Sequence, residues 1–162
     1  MRAKYFWTLI IALFLAACGQ EPSAETMNET EDWAAENSIW LAQNARNDGI
    51  TVTASGLQYE ILAQGSGEAS PGPTDTVVAH YAGSLINGKE FDSSYKRNQP
   101  LELPLNRVIK GWTEGLQLMK PGDKFKFYIP SNLGYGSRGA GADIPPDSTL
   151  IFVVELLEIK PS

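Results

Sequence analysis

The sequence holds one cysteine and one histidine among 162 residues. A single thiol excludes an intrachain disulfide framework. One imidazole beside scattered carboxylates gives no convergent metal set of the usual nitrogen and sulfur ligands. The apolar run Tyr5–Leu15 is too short for a bilayer-spanning helix, which needs about 20 residues. Basic side chains are the minority, 13 against 19 acidic, so a nucleic-acid partner is not expected.

What is present begins with an export pattern: Arg2 and Lys4, the apolar run, then small residues. Residues 1–17 read as a signal peptide. One reading is an ordinary secretory signal cut near Ala17. However, Leu15-Ala16-Ala17-Cys18 resembles a bacterial lipoprotein box, which makes Cys18 the lipidated first residue of the mature chain and accounts for the lone cysteine. Several acyl chains on one residue anchor stably where a single chain is marginal. Gly19, not aspartate, follows Cys18, which is similar to the pattern that sends lipoproteins of Gram-negative bacteria to the outer membrane. The expected location is therefore the outer membrane, lipid-anchored and facing the periplasm. Loss of Arg2 and Lys4 leaves 11 basic against 19 acidic residues, a net charge of −8 where the full chain has −6.

Residues 18–32 are polar and acidic, without lysine or arginine, and predict a flexible tether. The alanine-rich stretch 33–49, with Trp33, Trp40 and Leu41 at helical spacing and Gly49 as a stop, predicts a helix. From Ile50 the period changes to two. Strands are expected over Ile50-Thr51-Val52-Thr53, around Leu57, Tyr59 and Ile61, over Thr76–Gly83, at Leu101, Leu103 and Leu105, at Phe125, Phe127 and Ile129, and over Thr149–Ile159. Pro104 marks an edge or irregularity, and Lys124, Lys126 and Tyr128 alternate outward. Asn87-Gly88 offers the positive φ angles of a tight hairpin. Leu150–Val154, apolar on both faces, belongs in the sheet centre. One helix is expected in this half, carried by Ile109, Trp112, Leu116 and Met119 and ended by Lys120-Pro121-Gly122. The fold class is α+β: an antiparallel sheet with one short helix across it, over 50–162.

His80, Asp92, Ser93 and Ser94 supply the residue types of a hydrolytic triad, but alternation turns His80 away from Tyr81, and no nucleophile elbow surrounds either serine. The glycines at 136, 139 and 141 are followed by Ile144-Pro145-Pro146, which blocks the helix a phosphate loop needs; the segment reads as a long mobile loop. What remains is aromatic. Tyr81, Phe91, Trp112, Phe125, Phe127, Tyr135 and Phe152 are spread over five elements, and either fill the core or converge on a site. Tyr135 at a glycine-rich loop and Phe91 beside a charge fit the core reading least.

Val78-Ala-His-Tyr81-Ala-Gly83, Asn87-Gly-Lys-Glu-Phe91-Asp92-Ser-Ser94, Val108-Ile109-Lys-Gly-Trp112-Thr-Glu-Gly115, Tyr135-Gly136 and Ile144-Pro-Pro146 with Thr149-Leu-Ile-Phe152 resemble the FKBP-type peptidyl-prolyl cis-trans isomerases, in family order from about Leu57 to Lys160. The resemblance implies a curved antiparallel sheet around one helix, with an apolar proline-binding pocket between them and no cofactor or metal. By position, Trp112 is the floor and Tyr81, Phe91, Val108, Ile109 and Phe152 the walls. Tyr135 offers a hydroxyl to a substrate carbonyl, the Ile109 N–H offers a second donor, and Asp92 pairs with Arg97. Leu101 and Ile144 join the substrate-binding set, with Leu101 standing where a phenylalanine is common and Ala140 and Asp143 replacing larger loop residues.

Strict alternation puts Phe91 and Asp92 on opposite faces, so a shared site requires that the strand ends or bulges there. The stretch Arg138–Pro146 is similar to the bacterial Mip-like branch, whose long dimerisation helices are absent, so a monomer is expected. The implied partners are proline-containing polypeptides and, through the pocket, macrolides of the FK506 type. The alternative is a non-catalytic chaperone or protein-binding module of the same fold.

Overall fold

Residues 24–160 are described by a computed structural model; residues 1–17, expected to be a signal peptide, and Cys18 lie outside the described residues. Where large apolar residues alternate, the chain extends. In β3 (Thr76–Ser84) the side chains of Val77, Ala79 and Tyr81 point inward and those of Val78, His80 and Ala82 outward. It pairs antiparallel with β7 (Leu150–Lys160), whose Leu150, Phe152, Val154 and Leu156 fill the same interior. The order β1-β2-β6-β7-β3-β4 sets β7 in the interior of the sheet, with β1 (Thr51–Val52), β2 (Gln58–Ala63) and β6 (Lys124–Ile129) on one side and β4 (Glu90–Ser93) on the other. β7 thus lies centrally, as its apolar run predicts, while its outward residues Ile151 and Val153 are half-buried.

β5 (Leu101–Pro104) pairs with β3 alone, as an edge strand ending in proline can, and Leu105 starts a 3-10 turn instead of extending the strand. Register slips bend the sheet: Val78 faces Glu158 while Ala79 faces Leu156, so Leu157 is an extra residue in β7. The β3–β4 loop also differs from expectation. Of Asn87-Gly88 only Gly88 takes a positive φ, 82°. Gly88 N–H donates to Leu85 O at 2.9 Å and Leu85 N–H to Lys89 O at 3.0 Å, a three-residue loop with a glycine bulge instead of a two-residue turn.

The helix α2 (Lys110–Leu116) crosses the inner face and buries Trp112 and Leu116. Its Gly111 and Gly115 lie so close to β6 that a Cβ would stand 2.5 Å from Ile129 and 2.7 Å from Phe127. Two glycines in one short helix cost about 1 kcal/mol each in propensity. That cost is offset by direct contact between helix backbone and sheet.

The helix α1 runs Ala24–Asn44, so it starts well before Trp33 and takes up residues 24–32 of the segment expected to be a tether. Acidic residues near a helix N-terminus favour the helical state through its dipole, and a count of charges alone does not register that. Past Asn44 the chain turns and does not continue as helix to Gly49. Trp33, Asn37, Trp40, Leu41 and Asn44 form one face, and that face docks on the outside of the sheet. Trp40 packs against Tyr128 with ring centroids 5.7 Å apart. Tyr128, predicted to face water, is therefore only 5 % exposed; burial and the nearby Glu60 charge push its hydroxyl up to about 12. Polar groups fix the register of this contact: Asn44 Nδ2 donates to Gln58 Oε1 at 2.9 Å, and Gln58 Nε2 to Leu41 O at 3.0 Å.

Candidate functional site

Between α2, the inner face of the sheet and the loop before β7 lies a cavity of about 660 Å³. Trp112 lies beneath it, locked by perpendicular ring contacts to Tyr81 and Phe152, each at 5.3 Å and 84°. Phe91 meets Phe152 edge-on at 5.4 Å. Edge-to-face packing fixes ring orientation as well as burying area, so these walls hold one shape. The rings need Gly83 beneath them, where a Cβ would stand 2.6 Å from both Phe91 and Phe152.

Phe91 and Asp92 reach the same cavity because the β3–β4 ladder slips. Gly83 faces Asp92 and Ser84 faces Glu90, which leaves Phe91 as the extra residue of a bulge. At the rim the Asp92 carboxylate accepts hydrogen bonds from Tyr81 Oη and Arg97 Nη1. Arg97 Nη2 also donates to Tyr81 Oη at 2.9 Å. Partial burial acts to raise the Asp92 pKa, but the bonds from Tyr81 and Arg97 together with the Arg97 charge outweigh it, and the carboxyl titrates below its ordinary 3.8. Burial, then the bond to Asp92, raises Tyr81 above 10.0. The result is a neutral phenol, an ionised carboxylate and a guanidinium held as a unit.

The opposite wall comes from the approach to α2. Val108 and Ile109 line the cavity, and Ile109 caps the helix in an extended conformation, its carbonyl accepting from Trp112 N–H at 2.9 Å and Thr113 N–H at 3.1 Å. Leu101 lies at the exposed margin. From the far side, Tyr135 stands 42 % exposed, and Ile144 is buried against the cavity. The loop carrying them holds local hydrogen-bonded structure. It holds 3-10 turns at 131–133 and 136–138 and an Ala140–Ile144 bridge with bonds of 2.8 and 3.2 Å.

Thus Tyr81, Phe91, Asp92, Leu101, Val108, Ile109, Trp112, Tyr135, Ile144 and Phe152 share one cavity, and Arg97 supports it from the rim. Phe125 and Phe127 belong to the core instead, clustered with Tyr59. Sequence reasoning missed two lining residues. Leu103 is legible only as a strand position, and Arg107 carries no signal beyond its place just before Val108-Ile109.

On the outer face His80 Nδ1 lies 2.9 Å from Ser94 Oγ. That oxygen is fully buried and accepts Tyr81 N–H at 2.7 Å, while Asp92 is engaged across the sheet. The pair braces the backbone of Tyr81 and presents no nucleophile.

Comparison with known proteins agrees with this geometry. The family described as FKBP-type peptidyl-prolyl cis-trans isomerase matches residues 67–157. A second, described as the domain amino terminal to FKBP-type peptidyl-prolyl isomerase, matches 10–61. The FKBP-type 22 kDa peptidyl-prolyl cis-trans isomerase of Escherichia coli (strain K12) is 54 % identical over 126 residues, covering 78 % of this chain and 61 % of that protein. The outer membrane protein MIP of Legionella longbeachae is 43 % identical over 138 residues, covering 85 % and 59 %. The crystal structure of FkpA from Escherichia coli superposes with a TM-score of 0.78 at 45 % identity, covering 85 % of this chain and 64 % of that one. The chain thus spans less than two thirds of the length of each.

Proposed function

The chain belongs to the FKBP-type peptidyl-prolyl cis-trans isomerases, and from that premise we propose that it catalyses cis-trans isomerisation of X-Pro bonds and so assists the folding of exported proteins. The observation that carries this reading is the cavity itself, walled by Tyr81, Phe91, Trp112 and Phe152, with the hydroxyl-bearing Tyr135 at its opening.

Rotation about a peptide bond must break amide resonance, a barrier of about 18–20 kcal/mol, and an uncatalysed X-Pro bond takes tens of seconds or more. No bond to another atom forms or breaks. A planar amide is strongly polar, and the twisted form has lost much of that charge separation, so transfer from water to an apolar pocket favours the twisted form. Hydrogen bonds that strengthen on twisting add to this. Lowering the barrier by about 4–7 kcal/mol accelerates rotation about 10³–10⁵-fold.

In this mechanism Trp112, Phe152, Phe91, Tyr81 and Val108 hold the pyrrolidine. The Ile109 N–H and the Tyr135 hydroxyl take substrate carbonyls, and Leu101 and Ile144 contact the flanking residues. Asp92, held by Tyr81 and Arg97, orients the rim and transfers no proton. The same cavity suits macrolides of the FK506 type.

The domain is taken as 50–162 with α1 packed on it, preceded by a signal peptide over 1–17. Cys18 carries lipid and anchors the protein in the outer membrane, facing the periplasm. Support comes from Leu15-Ala16-Ala17-Cys18-Gly19, and fractionation of Cys18→Ser into the soluble phase is the expected result. A monomer is favoured because Trp33 and Trp40 of α1 contact their own domain.

The testing experiment is a protease-coupled assay on an Ala-Leu-Pro-Phe peptide. Catalysis that is lost in Phe91→Ala supports the isomerase. Suppressed aggregation of unfolded protein without catalysis supports a binding module instead.

A further inference from the structure

Among the described residues, three charged side chains line the cavity: Asp92, Asp143 and Arg107. Both carboxylates are already engaged. Asp92 is held by Arg97 and Tyr81, and Asp143 Oδ1 receives Lys89 Nζ at 3.0 Å from the β3–β4 loop. Arg107 differs. It ends the 3-10 turn Leu105–Arg107, is exposed at the cavity wall, and its guanidinium makes no hydrogen bond or ion pair among the described residues. Among the described residues the lining charges and their partners therefore leave one uncompensated cation at the mouth of an apolar pocket, in a chain whose net charge is −6.

We propose that Arg107 determines specificity by selecting peptides that carry a carboxylate side chain next to the proline, a substrate class that rests on the isomerase reading above. A guanidinium offers a planar fork of donors matched to a carboxylate. Low-dielectric walls on one side strengthen its field over that of an isolated surface arginine. Because the group remains wet, the gain is a few-fold, is expressed mainly in capture of the substrate, and is sensitive to salt. Asp92 and Asp143 do not cancel it, since each repels a substrate carboxylate only after its own cation has been subtracted.

The test measures catalysed cis-trans exchange on matched peptides in which one residue beside the proline, before or after it, is Leu, Gln, Glu or Lys. The expected kcat/KM for Glu exceeds that for its isostere Gln by about threefold to tenfold at about 0.01 M salt and converges on it near 1 M, where the screening length is about 3 Å. Arg107→Gln abolishes the Glu-to-Gln ratio, Arg107→Glu inverts it, and Arg107→Lys keeps most of it. Equal rates for Glu and Gln in the wild type in both positions, with the Leu peptide turned over, overturn the proposal and leave the isomerase reading standing. A preference that survives Arg107→Gln also overturns it. Absence of catalysis on every peptide removes the isomerase reading and the selectivity with it.

Discussion

The phenol of Tyr81 donates to the carboxylate of Asp92 across the β3–β4 bulge, and Arg97 grips both partners. Tyr81 faces the cavity as a wall and Asp92 as its rim, so one hydrogen bond ties the apolar site to its electrostatic edge.

The pH behaviour follows. The folded-state pKa of Asp92 lies below its ordinary 3.8. The stability it contributes is therefore fully present above that ordinary value and is lost as pH falls through the lowered one. Across pH 5.5–8 Asp92 stays ionised, and the isomerisation rate should be flat. Asp92→Asn should reduce kcat/KM while keeping the flat profile, and should soften acid unfolding below about pH 4. A sigmoid in the rate that disappears in Asp92→Asn would instead identify a proton carrier.

Gly83→Ala tests the tight seating of the rings. A methyl 2.6 Å from Phe91 and Phe152 cannot be accommodated without moving them. Overpacking of this kind costs about 1–3 kcal/mol. Urea unfolding should show that loss, and peptide turnover should fall about tenfold or more as the pocket narrows. Wild-type turnover in a stable Gly83→Ala protein would show that the ring positions are not critical.

Several of these features are legible in the sequence. The conflict between strand alternation and a shared site for Phe91 and Asp92 required the strand to end or bulge there, and it bulges. The single helix across the sheet and the inward alternation of β3 follow from periodicity. What could not be read depends on contacts between distant parts of the chain. Tyr128 looks outward-facing until α1 is laid over it. The start of α1 at Ala24 lies in a segment whose charge suggested solvent alone. Arg107 becomes notable only after Arg97 and Lys89 are seen to neutralise the other charges around it.

Asn37→Ala tests whether α1 is part of the folded unit. Asn37 is 2 % exposed, accepts Thr149 N–H at 2.7 Å, and donates to Trp33 O at 2.8 Å. Its loss strands a buried N–H just before β7, at a cost of about 1–3 kcal/mol. Chemical denaturation should show one cooperative transition shifted by that amount. An unchanged midpoint would mean that α1 adds nothing to the stability of the sheet.

Tyr135→Phe removes one exposed hydroxyl from the cavity opening and leaves the ring. Stability should not change, and kcat should fall about fivefold, as expected for one hydrogen bond of about 1 kcal/mol. An unchanged kcat would remove Tyr135 from the list of donors.

In the proposed mechanism an apolar, ring-walled hollow lowers the barrier to rotation about an X-Pro bond. Exchange NMR on an Ala-Leu-Pro-Phe peptide, with the protein present in small molar fraction, measures that rotation without any coupled reaction. The predicted result is cis-trans exchange accelerated by orders of magnitude, undiminished between pH 5.5 and 8 and lost in Phe91→Ala. Exchange no faster than in buffer, with the folded protein bound to the peptide, would contradict it.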